Sequence, residues 1–210
     1  MKRADRRRPW RWPLRAWALA ACCAPLLACV ATPAEHFYRL DNSQGVDAPA
    51  GEPPGAAGRP DDIRLVVGDI PDSIDRPQIT LQRGPNEMHV FESERWAEPV
   101  RSGITQCLAS GLARELPQAW IVTDGRAADD KAPTLRVTID AMEADGAEAR
   151  LQARWRLIAA DGAVRVSERA FLRRKITAAA PADAVAAWSA ELGELAQAMA
   201  RSVRATPSRP

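Results

Sequence analysis

The chain has 210 residues, room for one mid-sized domain. Its 29 basic and 27 acidic residues nearly balance, but seven of the basic residues and one acid lie in residues 1–28, so the body holds 22 basic against 26 acidic residues and carries about −4. The pI of 8.5 therefore belongs largely to the leader, and an acidic body argues against nucleic-acid binding, which needs a basic face on the phosphates.

Residues 2–15 are basic and contain Trp10 and Trp12, and an apolar stretch runs from Ala16 to Val30. A basic region ahead of an apolar run of this length is a secretory signal pattern, and the run is shorter than the roughly 18 residues needed to span a bilayer. It ends in Leu26-Leu27-Ala28-Cys29, which resembles a bacterial lipobox. The small Ala28 suits a peptidase pocket, and the Cys29 sulfur is the nucleophile that takes up a diacylglyceryl group. Residues 1–28 are thus expected to be a lipoprotein signal peptide, with acylated Cys29 as the membrane anchor. Stable attachment needs more than one acyl chain, each buried methylene contributing about 0.8 kcal/mol. Val30 is not the Asp that commonly retains Gram-negative lipoproteins at the inner membrane, so the expected address is the periplasmic face of the outer membrane. Of the four cysteines only Cys107 remains in the body, which excludes an intramolecular disulfide there. Cys107 reads as a small core residue.

Residues 29–62 are read as the anchored N-terminal segment, with a strand at 36–40 and a flexible loop rich in Pro and Gly. Residues 63–203 are read as the remainder of the domain, and 204–210 as a tail. Ile63–Ile70 is a strand candidate, buried on both faces over Leu65–Val67. Residues 71–80 contain Pro71 and Pro77 and read as an extended, punctuated segment, followed by a strand candidate at 88–91. Glu98-Pro99 opens a helix, with proline in the first turn and the acid at its positive end. Its apolar stripe is Val100, Ile104, Leu108, Leu112 and Leu116, and Pro117 ends it. A short strand follows at 119–122. Leu135, Val137 and Ile139 alternate with polar residues, as do Leu151, Ala153, Trp155 and Leu157, and a third strand runs from Val164 to the Phe171-Leu172 region. Asp145-Gly146 and Asp161-Gly162 are the turns between them. These strands make a meander with one Arg-rich face, including Arg150, Arg154 and Arg156. Pro181 begins a last helix with Val185, Trp188, Leu192, Leu195 and Met199 on one stripe. The expected fold is α+β, a mixed or antiparallel sheet packed against two amphipathic helices in a single domain.

Chemistry is sparse. There are two histidines, His36 and His89, and no His/Cys/Asp/Glu set has metal-ligand spacing. No nucleophile elbow, phosphate loop or dinucleotide turn appears. Asp69, Asp72 and Asp75 lack the glycine and terminal glutamate of a calcium loop and read as a turn network. No enzyme, metal or cofactor is expected.

Three segments stand out against generic core: Tyr38-Arg39-Leu40; Pro71 through Ile79, with Asp75-Arg76-Pro77-Gln78; and Trp96-Ala97-Glu98-Pro99. In that order, behind a lipobox cysteine, they resemble the ABC-type transport auxiliary lipoprotein family, the PqiC/YmbA-like intermembrane transport lipoproteins. The resemblance covers roughly residues 29–200 and departs in the insert at 44–60 and at Val100, where a leucine would be expected. It implies a role as outer-membrane partner of an MCE-domain transport protein and its membrane subunits, tethering or docking a lipid conduit across the periplasm. Tyr38, Arg39, Asp75, Arg76, Pro77, Gln78, Trp96 and Glu98 are then docking or structural residues. On the structural side, Arg76 would form a buried pair fixing its loop, and Trp96 would plug the core beside the helix. A ring-shaped conduit would suit a homo-oligomer, which the residues leave open. The other reading is a periplasmic lipoprotein that binds a lipid or apolar ligand itself. The two differ in whether Leu151, Trp155 and Leu157 pack as core or line an empty volume.

Overall fold

The computed structural model describes residues 34–41, 62–123 and 132–206. Cys29, the signal segment and the insert at 44–60 lie outside the described residues. The chain from Glu35 onward forms one compact unit.

Eight strands and two helices are described: β1 (His36–Tyr38), β2 (Asp62–Val67), β3 (Gln78–Gly84), β4 (Glu87–Trp96), α1 (Val100–Glu115), β5 (Trp120–Thr123), β6 (Thr134–Ala144), β7 (Glu148–Ile158), β8 (Val164–Lys175) and α2 (Pro181–Ala205). The fold is α+β, with the strands in two mixed sheets rather than one. A three-stranded sheet has the order β1-β4-β3, and a five-stranded sheet has the order β5-β2-β6-β7-β8. β1 runs parallel to β4, and β2 runs parallel to both β5 and β6. The remaining pairs are antiparallel.

The β6–β8 meander follows its alternation. Ala149, Leu151, Ala153, Trp155 and Leu157 are all buried, and Leu135, Val137 and Ile139 face the same core from β6. A bulge between Ile139 and Ala141 then shifts the phase of β6, so that Met142 and Ala144 are the buried pair. Asp145 closes the first turn by accepting the N–H groups of Ala147 and Glu148 at 2.8 and 3.0 Å. These two bonds hold its carboxyl below the usual range, helped by Arg150. Gly162 in the second turn has φ +79°, a conformation that favours glycine.

Three expectations are corrected. Residues 78–84 form β3, where Ile79, Thr80 and Leu81 are all buried; a strand covered on both faces shows no alternation. In β2 it is Leu65 that is fully buried, while Val66 on the opposite face and Val67 at the strand end are half-buried. Pro99 occupies the position before α1, and the first turn of that helix holds no acid. Pro181, by contrast, opens α2 with Asp183 in the first turn.

The two helices pack against each other; α1 lies on β2 and β5, and α2 on β7 and β8. Buried indoles are satisfied: Trp188 Nε1 donates to the Glu143 carbonyl at 3.0 Å, and Trp155 Nε1 to Ser202 Oγ at 3.2 Å. Cys107 is buried in the same core, its thiol directed at the Ser189 carbonyl at 4.0 Å.

Candidate functional site

The three standout segments, distant in sequence, meet at the end of β4. Parallel pairing sets Tyr38 opposite Trp96, and antiparallel pairing sets Gln78 opposite Arg95. The Trp96 N–H donates to the Pro77 carbonyl at 2.8 Å, and the Ala97 N–H donates to the Tyr38 carbonyl at 2.7 Å. Two successive amides thus grip the two other segments, one on each side. The Trp96 ring is buried, with its centroid 6.1 Å from that of Trp188 on α2. Leu40 is buried beside Gly103 of α1, and Glu98 accepts a hydrogen bond from Gln106 Nε2 at 3.0 Å.

The 71–77 segment is shaped by backbone bonds. The Ile74 and Asp75 amides both donate to the Pro71 carbonyl, and Thr80 Oγ1 donates to the Ser73 carbonyl at 2.9 Å. Ile74 at its centre is buried, as are Ile70 before it and Ile79 after it. Asp75 pairs at 3.6 Å with Arg101 of α1, and Arg101 also donates to the Gly68 carbonyl at the end of β2. Asp75 thus ties this segment to α1.

Arg76 corrects the structural expectation attached to it. Its side chain is exposed, and it makes no ion pair with any described residue. It lies in a bend ahead of β3, its amide donating to the Ile74 carbonyl at 2.8 Å. Arg39 is also exposed, whereas Tyr38 and Gln78 are half-buried, Gln78 donating to Glu92 at 3.2 Å. The site therefore divides: Trp96, Pro77, Tyr38, Asp75 and Glu98 hold the junction together, and Arg76 and Arg39 face solvent.

Other features escaped the sequence reading. His36 Nδ1 lies 2.9 Å from Glu94 Oε1. A hydrogen bond to the Tyr38 hydroxyl holds the Glu94 carboxyl below its ordinary range, with His36 adding to this, and the Tyr38 hydroxyl is pushed up to about 12. His36 is thus a polar partner at the strand edge, and His89 meets Phe91 edge-on with centroids 4.4 Å apart. Glu191 is fully buried in α2, and neither carboxylate oxygen has a hydrogen-bond partner among the described residues. Burial pushes its pKa up to about 7, partly offset by Arg174 and reinforced by Glu194 and Glu148. Its position was legible: residues 184, 188, 191, 195 and 199 recur at helical spacing, which puts Glu191 on the apolar stripe.

Leu151, Trp155 and Leu157 pack into the single large core cluster, and Trp155 also borders a small concavity between Arg154 and Arg156. A concavity of about 900 Å³ is an open groove along the two helices, floored by Val185, Ala186 and Ala190 and bordered by charged residues such as Arg39, Arg114 and Glu194. Among the described residues no group of three His, Cys, Asp or Glu side chains is placed to hold a metal, and no helix is long and apolar enough to cross a membrane.

The fold is a two-helix, two-sheet α+β domain whose motif segments are knitted at one strand end. The family profile described as ABC-type transport auxiliary lipoprotein component matches residues 40–200, and the chain belongs to that family. It is similar in fold to an uncharacterized protein of known crystal structure, with TM-score 0.63 at 16% identity, covering 81% of this chain and 99% of that one. A Xanthomonas campestris protein aligns with TM-score 0.54 at 19% identity, covering 70% of this chain and 86% of that one. No curated protein sequence matches this chain.

Proposed function

We propose that this lipoprotein is a non-enzymatic subunit anchored through acylated Cys29 in the outer membrane, where it tethers or docks the periplasmic end of an MCE-type lipid transport system. The observation that carries this reading is the solid interior. Leu151, Trp155 and Leu157 are each no more than 6% exposed, and the space between sheet and helices is filled. A lipid carrier needs an enclosed apolar volume that buries most of its ligand, and the groove along the helices, though largely apolar in its lining, is open to solvent. A transport auxiliary without such a volume works through contact. Exposed Arg76, on a segment gripped by its neighbours, supplies a preorganised contact residue, the kind that interfaces use as an anchor.

The test is co-purification from detergent-solubilised membranes, with wild type compared to Cys29→Ala. Mass spectrometry reads the mature N-terminus and the partners. Acylated Cys29 in wild type, with an MCE-domain protein recovered in far lower amount from the variant, is the expected result. Acylated Cys29 with bound lipid and no protein partner would instead favour a ligand-binding lipoprotein and end the docking reading.

A further inference from the structure

The outward face of the five-stranded sheet carries a block of arginines that the docking role does not use. Arg136 on β6 stands directly opposite Arg156 on β7, and Thr138 stands opposite Arg154. On β8, Ser167 is opposite Arg156 and Arg169 is opposite Arg154. Residues two apart on a strand share a face, so these side chains leave the sheet on the side away from Leu135, Val137 and Trp155. Arg136, Thr138, Arg154, Arg156 and Ser167 border a concavity of about 210 Å³.

The charges in this block are poorly balanced from within. Arg154 has one carboxylate, Asp140 at 3.1 Å, and the Arg169 guanidinium lies 5.4 Å above the Phe171 ring. Arg136 and Arg156 form no ion pair with any described residue. Like charges directly opposite each other across an antiparallel pair are destabilising. Arg150, on the same strand, shows the contrast: it meets Glu143, Asp145 and Glu148 within 3.9 Å and donates to Gln82. Arg150 is a satisfied structural residue, whereas the Arg136–Arg156 pair is not.

We propose that this concavity is a phosphate-binding site. Planar guanidinium forks match phosphate oxygens two at a time, and their charge stays fixed at any physiological pH. The Thr138 and Ser167 hydroxyls add neutral donors at the edge of the same block. The phosphate is free or carried on a lipid headgroup. Phe171, 60% exposed on the outward row of β8, supplies an apolar neighbour for the glycerol end of a headgroup.

The experiment uses the full chain in a non-ionic detergent at low salt, with titration calorimetry and thermal melts. The probes are inorganic phosphate and dihexanoyl phosphatidic acid. Wild type is expected to bind saturably and to melt at higher temperature with ligand, since a ligand of the folded state stabilises it. Arg136→Gln/Arg156→Gln is expected to bind at least about tenfold more weakly, equivalent to about 1.4 kcal/mol, while melting no lower than wild type without ligand. Arg83→Gln, at an exposed arginine on β3, should bind as wild type does. Should the double variant fail to fold, Arg156→Lys tests the same point, because it keeps the charge and loses the fork. Tighter binding of phosphatidic acid than of phosphate assigns the site to a lipid headgroup, and equal binding assigns it to free phosphate. Absence of saturable binding to both probes, or unchanged binding in the folded double variant and in Arg156→Lys, would overturn the site. None of these outcomes bears on the MCE partner.

Discussion

The two sheets are built by different means. The five-stranded sheet joins a β6–β8 meander of sequence neighbours to β2, which pairs in parallel with β5 and β6 from far along the chain, and the meander is fixed by side chains: a buried row facing the helices and a polar row facing water. The three-stranded sheet joins β1 to β4 across 58 residues of chain, His36 to Glu94. It is fixed at its critical end by main-chain bonds from Trp96 and Ala97. Side-chain packing leaves a trace in the sequence as periodicity, and main-chain bonding leaves none. The region that carries the motif residues is therefore the one whose assembly had to be seen.

The largest expected effect joins the two regions. Trp188 touches Trp96 of the three-stranded sheet and donates to the Glu143 carbonyl of the five-stranded one. Trp188→Ala should cost about 3–5 kcal/mol, read as a lower midpoint of one shared chemical denaturation transition. Two separate transitions would show that the sheets are not one cooperative unit.

Glu191 sets the next effect. Its pKa in the fold is about 7 against an ordinary 4.5. Between those values the folded chain keeps a proton that the unfolded chain has lost. The burden on stability is therefore absent below about pH 4.5, grows as pH rises, and is complete above about 7. Glu191→Gln should stabilise the protein by about 2–3 kcal/mol at pH 8 and much less at pH 4. Equal melting temperatures for the two proteins at pH 8 would show that the carboxylate finds compensation in the folded state.

Asp145→Ala acts only within the meander. It removes two accepted N–H bonds and should cost about 1 kcal/mol at pH 7. Because the folded pKa of Asp145 is lowered, the difference from wild type should shrink as pH falls through the acid range. A difference that stays constant down to pH 2 would contradict this origin.

Much of the fold was legible in sequence, for stated physical reasons. Alternation in 135–139 and 149–157, helical spacing in 100–112 and 185–199, and the two Asp-Gly turns each have a local cause. The strand at 78–84 was hidden because its central residues are covered on both faces and Pro77 precedes it. The phase shift in β6 was hidden because a bulge changes the period without a distinguishing residue type. Within the site, Trp96 behaves as the core plug its type suggests. Arg76 does not form the buried pair expected to fix its loop; its side chain is exposed, and it is Asp75 that ties the loop down, through Arg101. That pairing joins residues 26 apart, and no local pattern records it.

Arg76 offers the most direct test of the central claim, that this domain works by contact. Arg76→Ala should change stability by no more than about 0.5 kcal/mol, since the side chain is exposed and unpaired. The account predicts that the variant, matched to wild type in acylation and melting temperature, recovers markedly less MCE-domain protein from solubilised membranes. Equal recovery of that protein would contradict Arg76 as the contact, and its absence from the wild-type preparation would contradict the docking role itself.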